Sequence, residues 1–185
     1  MDTSTPPVTA GSPGALIEER LSEQLAAVVA AARRRASLGG DRQVDTAHLL
    51  HGLLESDPVV RAFLGGGGPQ TAKLLGYLAQ RSIGYGLRWQ EAVESTGRRT
   101  AARAGAVLLP GWSPAAAAAM DVALGRAAAR GAVRAEGVDL FAGIASDADS
   151  RAADVLRTAG VDVRGLAAGL AAGLAAMAPD PCRRT

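Results

Sequence analysis

The stretch that decides the fold is 45-DTAHLLHGLL-54, which holds both histidines of the chain among leucines. Its leucines recur at the spacing that forms one apolar face of a helix. Asp45 and Thr46 are residues of the kind that caps a helix N-terminus. His48 and His51 are three residues apart, however, and two such histidines can form half of a metal site. The stretch is therefore typical of either a structural helix or a catalytic centre.

The stretch is part of an internal repeat. The segment 113-SPAAAAAMDVALGRA-127 repeats 22-SEQLAAVVAAARRRA-36 at a shift of 113 − 22 = 91 residues. Gly143 follows Gly52 at the same shift, 143 − 52 = 91. Coincident alanines are expected in a composition this rich in alanine, but a constant shift that also holds for serine, arginine, glycine and leucine indicates a true repeat.

Each repeat is predicted to contain four helices and no strand. In the first repeat, capping and apolar patterns predict helices that begin at Ser22, at Asp45 or Thr46, at Asp57-Pro58 and at about residue 70, after a chain break at 65-GGGGP-69. In the second repeat, the corresponding predicted starts are Ser113-Pro114, Glu136, Ser150 and residue 163. The predicted fold is all-α, with two tandem, pseudo-symmetric four-helix repeats in one compact domain.

The predicted boundaries follow from the same patterns. They are a disordered N-terminal tail over residues 1–16, repeat 1 over 17–82, an inter-repeat linker over 83–111, repeat 2 over 112–178 and a C-terminal tail over 179–185. The linker is long for a connection in a compact domain, and connections of that length are often functional. A short helix is predicted within it.

Composition argues against several classes of protein. The 185 residues are 48% hydrophobic but carry a net charge of only +2, so a nucleic-acid partner is not expected. The longest apolar run, 165-GLAAGLAAGLAAMA-178, is too short to cross a bilayer, so no membrane partner is expected. Cys182 is the one cysteine, and no signal peptide begins the sequence, so we expect a cytoplasmic protein.

Neither a metal site nor a catalytic site can be assembled convincingly from these residues. Zinc proteases place their histidines four residues apart with a glutamate after the first, whereas His48 and His51 are three apart and Ala47 precedes them. The repeat counterparts of the two histidines are Asp139 and Ala142. We therefore predict no catalytic residue, no metal and no cofactor.

Three segments resemble a known family. They are 45-DTAHLLHGLL-54, its weaker counterpart 136-EGVDLFAGIA-145 and 150-SRAADVLRTAGVDVRGL-166, which resemble the repeats in the N-terminal domain of Clp-type AAA+ chaperones such as ClpA and ClpC. The resemblance covers residues from about 20 to 178. It implies a domain that is not an enzyme and that docks protein substrates and adaptors for an ATPase motor.

Two departures from the family refine this expectation. The stretch 65-GGGGPQTAK-73 does not form a phosphate-binding loop of the Walker type, because its lysine follows alanine, so a stand-alone domain without ATPase modules is expected. The glutamates with which family members recognise phosphoarginine fall on Ala47 and Val138. A guanidinium buried without an acidic partner is unfavourable, so phosphoarginine binding by the family route is not expected.

The candidate ligand-binding residues come from two sources. The family's site for peptide antibiotics lies near the starts of the first helices, where its opening phenylalanines match Leu21 and Trp112. Aromatic side chains contribute strongly to binding sites, and four of the six in the chain fall between residues 77 and 112, namely Tyr77, Tyr85, Trp89 and Trp112. The alternative is that these aromatics only pack the linker onto the helices.

The leading functional hypothesis is non-catalytic binding of a protein substrate, an adaptor or a peptide for the Clp chaperone–protease system. One alternative is a decoy or immunity protein that sequesters a peptide natural product directed against Clp chaperones. Another is a helical enzyme repurposed for a specialised biosynthetic pathway, for which the sequence offers no catalytic set.

Overall fold

The computed structural model describes residues 17–64, 67–80, 94 and 111–175. These residues contain eight helices and two isolated β-bridges. In the first repeat the helices are α1 (Glu23–Leu38), α2 (Thr46–Ser56), α3 (Pro58–Phe63) and α4 (Gly67–Gln80). In the second they are α5 (Pro114–Ala129), α6 (Gly137–Ala145), α7 (Arg151–Thr158) and α8 (Val163–Ala175). The predicted all-α fold of two four-helix repeats is confirmed.

The helices begin at the predicted capping residues because the local sequence satisfies the exposed backbone amides there. Ser22 and Ser113 accept hydrogen bonds from the amides of Leu25 and Ala116, at 3.2 and 3.1 Å. Asp57 caps α3 at 2.9 Å from the Val59 amide. Such side-chain caps each stabilise a helix by about 1 kcal/mol. The local sequence therefore determines where most of these helices start.

The start of α4 differs from the prediction. The helix begins at Gly67, inside the glycine-rich stretch that was expected to break the chain up to residue 69. Pro69 lies in the first turn of the helix, where a backbone N–H has no partner within the helix, so proline costs little there. Neither Gly67, Gly68 nor Pro69 therefore prevents the helix from starting early.

The two repeats interlock around a pair of central helices, α2 and α6. Each central helix packs against the first and fourth helices of its own repeat, and α2 also packs against α6. The third helix of each repeat crosses over to pack on the central helix of the other, so that α3 contacts α6 and α7 contacts α2. The core is thus shared between the repeats, and the predicted pseudo-symmetry is confirmed by this exchange.

Glycine at equivalent positions allows the first and second helices of each repeat to approach closely. A Cβ at Gly52 would lie 3.0 Å from Val28 Cγ1 and 3.1 Å from the Val28 carbonyl oxygen. A Cβ at Gly143 would overlap the carbonyl oxygen of Ala119. Because the second clash is with backbone, relief requires α5 and α6 to separate.

Two parallel β-bridges join the repeats reciprocally. One pairs Leu21 with Ala135, and the other pairs Val44 with Trp112. Four backbone hydrogen bonds form them: Ser22 N to Ala135 O at 2.9 Å, Ala135 N to Arg20 O at 2.8 Å, Val44 N to Gly111 O at 2.8 Å, and Ser113 N to Val44 O at 2.8 Å. In each case the segment before the first helix of one repeat pairs with the loop before the second helix of the other.

We predict that Gly143→Ala destabilises the protein by about 2–4 kcal/mol, because the added methyl group forces α5 and α6 apart. The matched control is Gly125→Ala in α5, where an added Cβ meets no atom within 4 Å. The control is expected to stabilise by about 0.5–1 kcal/mol, the ordinary helix preference for alanine over glycine. Urea denaturation followed by circular dichroism measures both, and equal effects of the two substitutions would contradict the close-approach argument.

Candidate functional site at the junction of the repeats

The Val44–Trp112 bridge brings together the starts of three helices. Ser113 directly follows Trp112 and caps α5, and the bridge holds its amide on the Val44 carbonyl at 2.8 Å. Thr46, the first residue of α2, is two residues beyond Val44. Arg151, the first residue of α7, lies beside them because α7 packs on α2. The junction thus gathers amides and hydroxyls that no helix satisfies by itself.

A carboxylate from the inter-repeat linker fills the space among these groups. Glu94 is only 6% exposed, and its two oxygens accept four hydrogen bonds. Oε2 accepts from the Thr46 amide at 3.0 Å and from the Ser113 hydroxyl at 2.7 Å. Oε1 accepts from the Arg151 amide at 2.7 Å and from the Thr46 hydroxyl. We call Thr46, Ser113 and Arg151 the carboxylate cradle.

The electrostatics of the cradle favour an anion. The first amides of α2 and α7 point at Glu94, and the N-terminus of a helix carries a partial positive charge from the aligned peptide dipoles. The Thr46 hydroxyl also accepts a hydrogen bond from the Ala152 amide at 3.0 Å, which fixes its proton toward Glu94. Both oxygens of the buried carboxylate are therefore hydrogen-bonded, and among the described residues these donors are amides and hydroxyls.

A second carboxylate lies next to the cradle. Asp45, 1% exposed, accepts from the His48 amide at 2.9 Å and from the Arg151 guanidinium at 2.7 Å. His48 in turn lies with Nδ1 3.2 Å from the Asp45 amide and Nε2 3.1 Å from Asp41 Oδ2. Asp45 and His48 thus form a reciprocal cap on α2, and Arg151 ties that cap to the other repeat.

The second junction, at the Leu21–Ala135 bridge, has a different residue at the start of its central helix. Gly137 begins α6 where Thr46 begins α2, and a Cβ on Gly137 would overlap the carboxylate of Asp57. Asp57 is buried and caps α3 through the amides of Val59 and Val60. A carboxylate therefore lies at both junctions, supplied by a local cap in one and by the linker in the other.

A cleft of about 320 Å³ opens beside the Val44–Trp112 bridge. Trp112, 6% exposed, lies at its floor with Val44, and Arg33, Asp41 and Arg42 are among the residues that line it. Arg42 is exposed, whereas Arg33 is bonded to Glu18 at 2.6 Å. The cleft combines an apolar floor with charged side chains.

A larger cavity of about 490 Å³ lies where α3 ends and α8 begins, and it includes Phe63, Leu64 and Leu166 among its lining residues. Leu21, Tyr77 and Trp112, the predicted ligand-binding residues that the structure describes, are not among its lining residues.

The predicted ligand-binding residues are distributed unevenly. Leu21 and Trp112 occupy equivalent positions in the two β-bridges, one in each, and both are buried. Tyr77 is half-buried on α4 and packs against the core. Tyr85 and Trp89 lie outside the described residues, as does the short helix predicted in the linker. Their part in binding stays a prediction.

The two positions that lack the family's glutamates lie against the core. Ala47 is fully buried in α2, and Val138 is half-buried in α6 and packs against the core cluster. Neither side chain offers a carboxylate to a ligand, and the acidic group nearest in sequence to Ala47, Asp45, is already bonded to Arg151. We therefore still expect that this chain does not bind phosphoarginine in the way that family members do.

The two histidines have separate partners. His48 belongs to the cap of α2, whereas His51 is 13% exposed and lies 3.2 Å from Glu55. Among the described residues, no group of three or more histidine, cysteine, aspartate or glutamate side chains is arranged to hold a metal ion. The counterpart of His48 in the second repeat, Asp139, also caps its helix, and its hydrogen bond raises the pKa of Arg130.

The sequence indicated the capping residues of the cradle but not Glu94. Ser113 and the Asp45-Thr46 pair are recognisable as helix starts. Glu94 is an acidic residue in a linker that is polar in any case, and no spacing relates it to Thr46, which is 48 residues away. Only a contact between distant segments distinguishes it.

We predict that His51 makes the protein less stable as the pH falls below about 6.5. Burial and the neighbouring charge of Arg35 lower the pKa of His51, against the opposing effect of Glu55. The unfolded chain therefore binds more protons than the folded one, so that stability is highest above pH 6.5 and declines as the pH passes down toward the folded pKa.

Melting temperatures between pH 7.5 and 5 measure this effect. His51→Gln is expected to flatten the decline, and Glu55→Gln to steepen it, because the group that raises the pKa of His51 is removed. A His51→Gln curve that runs parallel to the wild type would show that another group causes the decline.

Comparison with known proteins identifies the fold. No protein-family model and no curated protein matches the sequence. The N-terminal domain of the caseinolytic-protease-associated chaperone ClpD from Arabidopsis thaliana superimposes with a TM-score of 0.60 and 21% identity, over 88% of this chain and 99% of that one. A chain from a structural study of a malarial protein secretion system does so with a TM-score of 0.56 and 14% identity, over 84% and 95%. Within the described residues, no helix has the length and hydrophobicity needed to cross a membrane. The chain has the fold of the N-terminal domain of Clp chaperones.

Proposed function

We propose that the chain is a non-catalytic recognition domain that binds a peptide segment of a protein, as a substrate or an adaptor, in a Clp-type chaperone system. The proposal is supported by the Clp N-domain fold and by the candidate site at the Val44–Trp112 bridge between the repeats. The observation that carries it is the cleft beside Trp112, which lies next to the reciprocal backbone pairing of the two repeats.

The chemistry of the cleft suits a peptide. A buried indole and Val44 provide an apolar floor of the kind that anchors a side chain. The exposed guanidinium of Arg42 at the cleft attracts an acidic side chain of the same segment, and a charge in that position acts mainly on the association rate. The expected ligand is an unfolded or extended segment that places an apolar residue next to an acidic one.

The state of the ionisable groups near the cleft supports recognition over catalysis. Asp41 and Asp45 both bond to His48, and Asp45 also bonds to Arg151. These groups cap helices and join the repeats, whereas a general base needs a lone pair directed at a substrate. The proposal therefore assigns them a structural role.

We predict that Arg42→Glu weakens binding of a fluorescently labelled, unfolded casein about tenfold, because a repulsive charge replaces an attractive one at the cleft. Fluorescence anisotropy measures the affinity, and a purified Clp-type ATPase tested in the same way serves as a second ligand. The loss is expected to shrink as salt is added.

The matched control is Arg134→Glu, which makes the same charge change on an exposed residue in the equivalent loop of the other repeat, outside the cleft. It is expected to leave the affinity within about twofold of the wild type. Absence of binding to both ligands, or equal losses in the two variants, would rule out recognition through this cleft.

A further inference from the structure

We propose that the carboxylate cradle is a binding site for carboxylates that the protein occupies with its own Glu94. In the absence of that side chain, the cradle is open to the carboxylate of a peptide, either an acidic side chain or a C-terminus. The inference does not depend on the proposed peptide cleft, because it concerns Thr46, Ser113 and Arg151, none of which has to contact a ligand in the cleft.

The first support is the match between donors and acceptors. Four donors, two amides and two hydroxyls, converge on two oxygen atoms. The Thr46 amide lies at 3.0 Å, and the Ser113 hydroxyl and the Arg151 amide each lie at 2.7 Å. Each carboxylate oxygen receives two hydrogen bonds, which is the arrangement a carboxylate requires when it is removed from water. The cradle is therefore complementary to this functional group as a whole.

The second support is that the occupant comes from a distant part of the chain. Glu94 is separated from Thr46 by 48 residues, from Ser113 by 19 and from Arg151 by 57. The cradle itself is assembled by the Val44–Trp112 bridge and by the packing of α7 on α2, without a contribution from Glu94 to those contacts. A receptor built by one set of contacts and filled by another can be emptied by a single substitution.

The third support is the contrast with the other junction. There Asp57 caps α3 and also fills the space against Gly137. At the cradle, α7 is capped by Ser150, whose short hydroxyl bonds the Ala153 amide at 3.2 Å and leaves the Arg151 amide to Glu94. The adjacent acid, Asp45, is bonded to the His48 amide and to the Arg151 guanidinium, so the cradle donors bond to a carboxylate from a distant part of the chain.

The surroundings favour a carboxylate over a phosphate. The guanidinium of Arg151 is bonded to the carboxylate of Asp45, so the one cationic side chain among the three cradle residues is already paired with an anion. A dianion would lie close to buried Asp45 without a free cation of its own among the cradle residues. A singly charged group of the size of a carboxylate avoids this repulsion.

The test is chemical rescue of Glu94→Ala. Removal of the side chain takes the acceptor from three buried hydrogen bonds and one part-buried hydrogen bond, so the melting temperature is expected to fall by about 8 °C. Sodium acetate is then expected to raise the melting temperature of the variant by about 4 °C at about 100 mM, with a saturating dose response. Sodium chloride at the same ionic strength is the reference. If the variant is unfolded at room temperature, acetate is expected to restore its helical circular dichroism along a saturating curve.

Three comparisons make the result decisive. Glu23→Ala removes an exposed carboxylate in the first turn of α1, and it is expected to show no saturable effect of acetate. Glu94→Gln fills the cradle with a neutral isostere, so acetate is expected to leave it unchanged. Wild type, with Glu94 in place, is expected to behave in the same way.

A saturable rescue confined to Glu94→Ala supports the site. No rescue, or equal stabilisation of the wild type and the Glu23→Ala control, overturns it. Inorganic phosphate at matched ionic strength is expected to rescue less well than acetate, and a stronger effect of phosphate would overturn the assignment to carboxylates. None of these measurements requires a protein partner, so failure of the proposed recognition function would leave them interpretable.

Discussion

The architecture depends on four backbone hydrogen bonds that exchange partners between the two repeats. Each repeat supplies a segment before its first helix and a loop before its second, and each segment pairs with the loop of the other repeat. Backbone groups at such positions must find partners when they are buried, and neither repeat can satisfy them within itself. The repeats therefore fold against one another as one unit, and their third helices complete the exchange by packing on the opposite central helix.

The same pairing explains where polar chemistry is concentrated. The Val44–Trp112 pairing places Ser113, the cap of α5, beside the start of α2. Because α7 packs on α2, the N-terminus of α7 lies at the same place. The first amides of α2 and α7 and the hydroxyls of Thr46 and Ser113 then face one small volume, which favours an anion. Glu94 supplies it, and Asp45 with Arg151 adds an ion pair that spans the repeats. The junction is thus the most polar part of the buried interior described and also the part closest to the cleft.

A core made largely of alanine and leucine imposes a further constraint. Small side chains bury little area each, so helices have to lie close together to exclude water. Gly52 and Gly143 meet this need at equivalent positions, where even one methyl group would press on the neighbouring helix. Buried side chains differ between the repeats, as in Leu25 and its counterpart Ala116, whereas the contact between the first and second helices has glycine in both repeats.

The sequence by itself determined the number, order and starting points of most helices, because capping residues and apolar periodicity act over three or four neighbouring residues. It also indicated the repeat, through a constant shift of 91 residues, and hence the pseudo-symmetry. The early start of α4 at Gly67 was missed because proline is compatible with a first helical turn, which composition does not reveal.

Only the tertiary structure decided how the repeats interlock, which acidic residue enters the junction, and that Arg151 pairs with Asp45. Those outcomes depend on contacts between segments tens of residues apart, such as Glu94 with Thr46 and Arg151 with Asp45. Contacts at that separation leave no periodic signal in a single chain. Capping residues and apolar periodicity were therefore enough to predict the helices. The polar junction depends instead on tertiary contacts, because buried donors and carboxylates must form hydrogen bonds with one another.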